Sequence, residues 1–276
     1  MKTPLLLIFT LIVLTRLLLG DSDLSKPLQP SKLNTARLLL TELRQGDYAH
    51  AGDKEAILLV IKKALEFSPE IQKKASLDVG SGFGGTANYI YNLGFPNLYG
   101  IDLDKAAIEY AKSKYPHVHF LEADATSHTT FFDKEFSFIY SFNVLYAIED
   151  KDTLLRNLYD MAEPGALLVL FDYTTENPSL SLKDLADKPM YPMVLKEMKK
   201  TLQDIGWQIL EIQDLSSEFL FWYQDLLDKM EKNEETLTSL FSKADINKVK
   251  ATFSTIYHWL KTSQLGGAAI YAKKLN

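Results

Sequence analysis

From Asp78 to Gly85 the chain reads Asp-Val-Gly-Ser-Gly-Phe-Gly-Gly, an acid two residues ahead of a glycine turn. Glycines let the backbone adopt positive φ and let a ligand approach main-chain N–H groups closely. Gly80, Gly82 and Gly85 satisfy the spacing G-x-G-x-x-G, which elsewhere cradles a diphosphate. Asp78 argues for a different ligand. A carboxylate at the mouth of that cradle repels a diphosphate and suits a ligand carrying an ammonium group.

Two further acids extend the pattern. Asp102 closes the apolar run Leu98–Ile101, seventeen residues beyond Gly85, where an acid accepts the ribose hydroxyls of an adenosine. Asp124 follows the run Val118–Leu121 and is placed to meet the adenine edge. An adenosine that also carries a cationic amino-acid end answers to all three acids, and S-adenosyl-L-methionine is such a molecule. A nicotinamide oxidoreductase fits less well, because Asp78 opposes its diphosphate.

These residues need a sheet to hold them. Strands are read at 77–79, 97–102, 118–125, 136–143, 166–173, 207–212 and 268–272. Helices are read between them at Gly85–Leu93, Lys105–Lys114 and Lys151–Met161, with another ending near Gly206. Ahead of the first strand, Asn34 can cap a helix through Ala36 to Leu43, and Lys54–Phe67 has one apolar face. The alternation predicts an α/β fold: a Rossmann-like, doubly wound, seven-stranded and mostly parallel sheet, with the ligand at the strand carboxyl ends. Between the last two strands lies a helical insertion over about 214–262. It is too long for an ordinary connection and is expected to cover the strand ends as a lid. Its aromatic stripe, Phe219, Trp222 and Tyr223, is read as packing.

The series of strand-end acids behind a glycine turn resembles the class I S-adenosylmethionine-dependent methyltransferases, over residues 46–276. The resemblance implies that Asp78 takes the donor's amino group, that Gly80, Ser81 and Gly82 face its methionine portion, and that Asp102 holds the ribose. Leu103 would pack on the adenine, Asp124 with Ala125 would meet its edge, and Phe142 would complete the donor site. The insertion, Asp214-Leu215-Ser216-Ser217, Phe171-Asp172-Tyr173 and the ending Tyr271-Ala272-Lys273-Lys274 look like the phosphoethanolamine N-methyltransferases and the sarcosine and dimethylglycine enzymes related to them. Tyr48-Ala49-His50-Ala51-Gly52 matches more loosely their Tyr-x-Ser-x-Gly segment over the donor's carboxylate, with His50 in place of serine.

That family pairs a tyrosine with a histidine as latch and acid–base dyad. Residues 26–47 contain no aromatic side chain to supply the tyrosine, Ala147 stands where the histidine belongs, and Phe142-Asn143 replaces Arg-Asp. Lys188 and Lys261 are the only loose candidates for a phosphate. The expected acceptor pocket is Asn143, Tyr146 and Tyr173, closed by Tyr48 and Tyr191, with Asn143 orienting a nucleophile and His50 accepting a proton. The reaction expected is methyl transfer to a small molecule, at an amine nitrogen. The competing expectation, from the unmatched dyad and the leader, is a catalytically silent donor-binding protein tethered at a membrane.

Among the 276 residues there is no cysteine, which removes thiolate chemistry and cysteine metal sites, and no spacing suggests another metal site. A net charge of −6 with scattered Lys and Arg argues against a nucleic-acid partner. Residues 1–20 read as a signal peptide or membrane anchor: Lys2 precedes an apolar run, and Pro4–Leu19 as a helix would span about 24 Å against a ~30 Å hydrocarbon core. Residues 21–45 read as a linker and an N-terminal helix. The leader points to membrane association or export, while donor chemistry points to access to a cytosol. Oligomeric state is not legible.

Overall fold

The computed structural model describes residues 35–127, 131–180, 182–184 and 188–275. The expected leader, the linker through Asn34 and the Asn34 cap lie outside the described residues. No helix among the described residues is long and apolar enough to cross a membrane.

The N-terminal helices are α1 (Thr35–Arg44) and α2 (Asp53–Phe67). Alternation follows: β1 (Ser76–Val79), α3 (Gly85–Asn92), β2 (Leu98–Asp102), α4 (Lys105–Lys114), β3 (His119–Glu122), β4 (Phe136–Phe142), α5 (Lys151–Met161) and β5 (Ala162–Thr174). A two-stranded pair, β6 (Leu182–Lys183) with β7 (Pro189–Met190), precedes α6 (Leu195–Ile205) and β8 (Trp207–Asp214). The insertion comprises α7 (Ser216–Lys232), α8 (Glu234–Leu240) and α9 (Lys243–Lys261), and β9 (Gly266–Lys274) ends the fold.

The seven-stranded sheet has the order β3-β2-β1-β4-β5-β9-β8. β1 to β5 pair in parallel, and β9 runs antiparallel to both β5 and β8. This is the expected fold class. Its order reverses between β1 and β4, which opens a crevice at their carboxyl ends.

Period-two alternation divides the core. Phe138, Tyr140, Phe142, Val169, Phe171 and Tyr173 face one layer, built from α1 to α4 and the insertion. Ile139, Leu168 and Leu170 face the other, with Leu154, Leu155 and Leu158 of α5 and Leu202 of α6. Leu39 and Leu40 of α1 are buried in the first layer, so the folded unit begins before residue 46. The lid packs on this face as well: Phe219 lies 4.9 Å from the Phe171 ring, and a Cβ on Gly267 would overlap it.

Candidate active site

All four residues of β1 are buried, and the chain then turns through Gly80, Gly82 and Gly84 with φ of +75°, +51° and +83°. The turn hangs on the neighbouring strand: Gly80 and Ser81 both donate their N–H groups to the Ile101 carbonyl, at 2.8 and 2.9 Å. Gly80 is needed for space as well as for φ, because a Cβ there would overlap Val144. That contact joins the glycine turn to the loop after β4. Gly84 caps α3 without any side-chain hydrogen bond, which aims the positive end of the helix at the turn.

Asp78 is 2% exposed, and its Oδ2 has no hydrogen-bond partner among the described residues. Burial, then the charge of Asp102, raises its pKa well above the usual carboxylate range. Ser81 Oγ and the Tyr140 hydroxyl are also buried without a partner. Burial and the nearby Asp78 push the Tyr140 phenol up. An orphaned carboxylate beside orphaned hydroxyls is costly by itself and is stabilised by a cationic hydrogen-bond donor. The residues therefore fit an ammonium group set against the glycine turn.

Asp102 ends β2 with both oxygens engaged. Oδ2 accepts from Gly82 N and Oδ1 from Asp104 N, each at 2.8 Å. A carboxylate has about four lone-pair sites, so acceptor capacity remains for hydroxyls. Leu103 follows at 68% exposure, a side chain free to cover a planar ligand. Beyond β3, Asp124 Oδ1 accepts from Thr126 N and Oγ1, and these bonds hold the carboxyl below its ordinary pKa. The Ala125 carbonyl is taken by Asn157. Thus Asp78, Gly80, Ser81, Gly82 and Asp102 come together at the ends of β1 and β2, with Asp124 just beyond the end of the neighbouring β3.

Three other expected residues are assigned differently. His50 is buried: Nδ1–H donates to the Ala51 carbonyl at 2.9 Å and Nε2 accepts from Thr86 Oγ1 at 3.0 Å. Burial pushes its pKa down to about 3, so the ring is neutral and occupied, and it does not accept a proton near neutrality. Phe142 packs in the core, with its ring 4.8 Å from His50 and 5.1 Å from Phe171. Asn143, at φ +52°, accepts from Ala51 N at 2.9 Å and donates to Asp172 at 3.4 Å. It ties the 47–52 segment to the strand ends.

Tyr146 and Tyr173 do meet, edge to face at 5.5 Å. The lid completes the group, because the Tyr223 hydroxyl of α7 hydrogen-bonds that of Tyr173. Burial pushes all three phenols up, that of Tyr223 to about 12. Tyr48 is buried elsewhere, against His50 and Tyr89. Tyr191 is held through its backbone N–H on the Tyr146 carbonyl at 2.6 Å, with its ring towards Lys151. Neither closes the tyrosine group.

Residues 77–170 match the family model described as a methyltransferase domain. Phosphoethanolamine N-methyltransferase 1 of Triticum aestivum is 29% identical over 194 residues, 67% of this chain and 39% of that protein. Phosphoethanolamine N-methyltransferase 3 of Arabidopsis thaliana is 30% identical over 180 residues, 63% of this chain and 36% of its own length. Over residues 77–170 the chain thus carries a methyltransferase domain. The chain spans less than two fifths of the length of these plant relatives. In fold it is similar to Haemonchus contortus phosphoethanolamine N-methyltransferase 2 solved with S-adenosyl-L-methionine, at TM-score 0.79 and 18% identity, covering 90% of this chain and 59% of that one. A putative sarcosine dimethylglycine methyltransferase from Galdieria sulphuraria gives TM-score 0.68 at 11% identity, covering 80% and 85%. The reading as a silent, membrane-tethered protein finds no support in these comparisons.

Sequence reasoning missed several residues of this site. Asp172 is fully buried, accepting from Leu145 N and Tyr173 N at 2.7 Å each and from Tyr146 N at 3.3 Å; burial carries its pKa up to about 6 against these bonds. Asp47 accepts from Tyr110 and Lys114 of α4, at 3.2 and 2.7 Å, and from Tyr115 just after it, at 2.6 Å, pinning the segment before Tyr48 beside Gly85. Arg44 pairs with Asp53 at 3.0 Å and donates to the His50 carbonyl. Asp172 was visible as the acid of Phe-Asp-Tyr. Asp47 had no local signal, because its partners Tyr110, Lys114 and Tyr115 lie far off in sequence.

Proposed function

We propose that this methyltransferase uses S-adenosyl-L-methionine to methylate a small molecule at an amine nitrogen, with the acceptor bound beside Tyr146, Tyr173 and Tyr223. The buried, unpartnered carboxylate of Asp78 at the glycine turn carries the reading. It calls for an ammonium group at that point, and the strand-end acids Asp102 and Asp124 suit the nucleoside beyond it.

The donor supplies an electrophilic sulfonium methyl: the acceptor's lone pair forms the new bond to carbon as the carbon–sulfur pair returns to sulfur. The protein's part is to align the reactants, exclude water and hold the acceptor nitrogen with its lone pair free. The three phenols stay protonated near neutrality, because burial raises them. They therefore orient the acceptor by hydrogen bonds and do not take its proton. Asp172 is committed to backbone N–H groups, so the proton leaves to solvent. The names of the plant relatives support an amino alcohol or its phosphate ester as the acceptor.

The test is transfer of labelled methyl from S-adenosyl-L-methionine to a panel of ethanolamine, phosphoethanolamine, sarcosine, dimethylglycine and simple phenols. Turnover with an amine is expected. Turnover confined to phenols, or none with any member, overturns the assignment to nitrogen.

A further inference from the structure

We propose that Lys151 is a positioning residue for the acceptor side of the site: its ammonium fastens the turn that carries Tyr146 and the segment that joins Tyr146 to Tyr173. The inference rests on the reading of the tyrosine group as the acceptor's place, and Lys151 acts there through Tyr146.

Tyr146 sits on the short turn Leu145–Ala147 after β4. Asp172 holds the start of that turn through the N–H groups of Leu145 and Tyr146. Lys151 holds its far end, where Nζ donates to the Ile148 carbonyl at 2.7 Å. The same ammonium lies 5.8 Å from the centroid of the Tyr191 ring, within the range of a cation–π contact. Tyr191 N–H donates to the Tyr146 carbonyl at 2.6 Å, and Met193 N–H donates to the Tyr173 carbonyl at 2.9 Å. The 191–193 segment is therefore a rung between the backbones of the two tyrosines, and Lys151 supports it at the Tyr191 ring.

The placement of the charge is unfavourable for the helix that bears it. Lys151 is the first residue of α5, where the helix dipole favours acids such as Asp152 and opposes a cation. Its side chain borders a cleft of about 260 Å³ that Glu149, Pro192, Val194, Glu197 and Met198 also line. Burial works against the ammonium and lowers its pKa, while Asp172, Glu149 and Glu197 favour the charged form. Those carboxylates come from β5, from the loop before α5 and from α6. One cation thus bridges three elements around the Tyr146 turn, and it does so at a cost to its own helix.

The experiment compares the wild type with Lys151→Met, which keeps an apolar stem and removes the ammonium, and with Lys151→Arg, which keeps a charged donor. Lys151→Met should lower kcat/KM for the amine acceptor about ten-fold and leave the dissociation constant of S-adenosylhomocysteine within about two-fold; Lys151→Arg should recover most of the loss. Retained S-adenosylhomocysteine binding shows that the variant is folded. A double-mutant cycle with Tyr146→Phe separates positioning from a general weakening of the fold. Once the Tyr146 hydroxyl is gone, Lys151→Met should cost less than about a further two-fold. Additive losses in the cycle, an equal fall in donor affinity, or full activity of Lys151→Met overturns the inference. So does hydrogen exchange in Lys151→Met that leaves residues 145–148 and 191–193 as protected as in the wild type. A wild type that methylates no amine sinks the acceptor reading, and the inference with it, before any variant is made; with an active wild type, the variants test Lys151 alone.

Discussion

Asp78 and Asp172 are both fully buried carboxylates, and their surroundings give them different work. Asp172 accepts three backbone N–H groups and the Asn143 amide, so its cost of burial is largely offset and its pKa rises only to about 6. Asp78 has an oxygen with no partner and a second acid nearby. The first fixes a loop; the second is held ready for a cation. Asp78→Asn should therefore weaken S-adenosylhomocysteine by about ten- to hundred-fold, as loss of a charged hydrogen-bond partner costs ~1.5–3 kcal/mol. The unliganded variant should be no less stable than the wild type. The pH dependence has a definite sign. A carboxyl whose folded pKa is raised binds more protons folded than unfolded, so its contribution is fully present below the ordinary aspartate value near ~3.9 and is lost as pH rises through the folded pKa. Urea titrations of the unliganded protein across that window should show this loss, and Asp78→Asn should remove it; an unaltered profile would contradict the burial of an uncompensated acid.

The insertion matters through one helix. Phe219, Trp222 and Tyr223 were expected to pack, and Phe219 does so against Phe171 and Gly267. Tyr223 lies one turn further along the same helix, where the hydroxyl end of Tyr173 rises from β5, so a packing residue also delivers a polar group. Tyr223→Phe keeps the ring and removes only that bond. Its expected effect is about a three- to ten-fold fall in kcat/KM for the amine acceptor, corresponding to ~0.5–1.5 kcal/mol for one hydrogen bond, with donor affinity unchanged. An equal fall in donor affinity would mean that the helix supports the whole crevice and not the acceptor's side of it. Strand ends and the glycine turn were legible because they recur at short spacing: Asp78 with Gly80 to Gly82, then Asp102. The roles of His50, Asn143 and Phe142 were not, since each depends on a partner more than 25 residues away: Thr86, Ala51 and Phe171. A histidine reads as a base in sequence, and only its burial against Thr86 shows that it is a neutral strut. Nothing in Asp47-Tyr48 announces that Asp47 will be held by three side chains at the end of α4 and just beyond it.

Across the molecule the donor crevice is assembled from separate layers. β1 and β2 bring the acids, α1 brings Arg37 over the turn, and the 47–52 segment is fastened both to α4 through Asp47 and to the strand ends through Asn143. A ligand that reaches all of these should stabilise the fold globally, and not one loop alone. Binding to the native state alone adds RT ln(1 + [L]/Kd), about 2.7 kcal/mol at a hundred-fold excess over Kd. A domain of this size gains roughly 2–4 °C per kcal/mol, so S-adenosylhomocysteine should raise the Tm by about 5–10 °C at that concentration. NAD, opposed by Asp78, should leave it unmoved. Hydrogen exchange gives the matching spatial outcome: protection should spread to α1 and residues 47–52 as well as to the glycine turn. If the shift occurs with protection confined to residues 78–85, the N-terminal helix lies outside the binding unit. If NAD gives the shift and S-adenosylhomocysteine does not, the acid at the mouth of the turn has been misassigned.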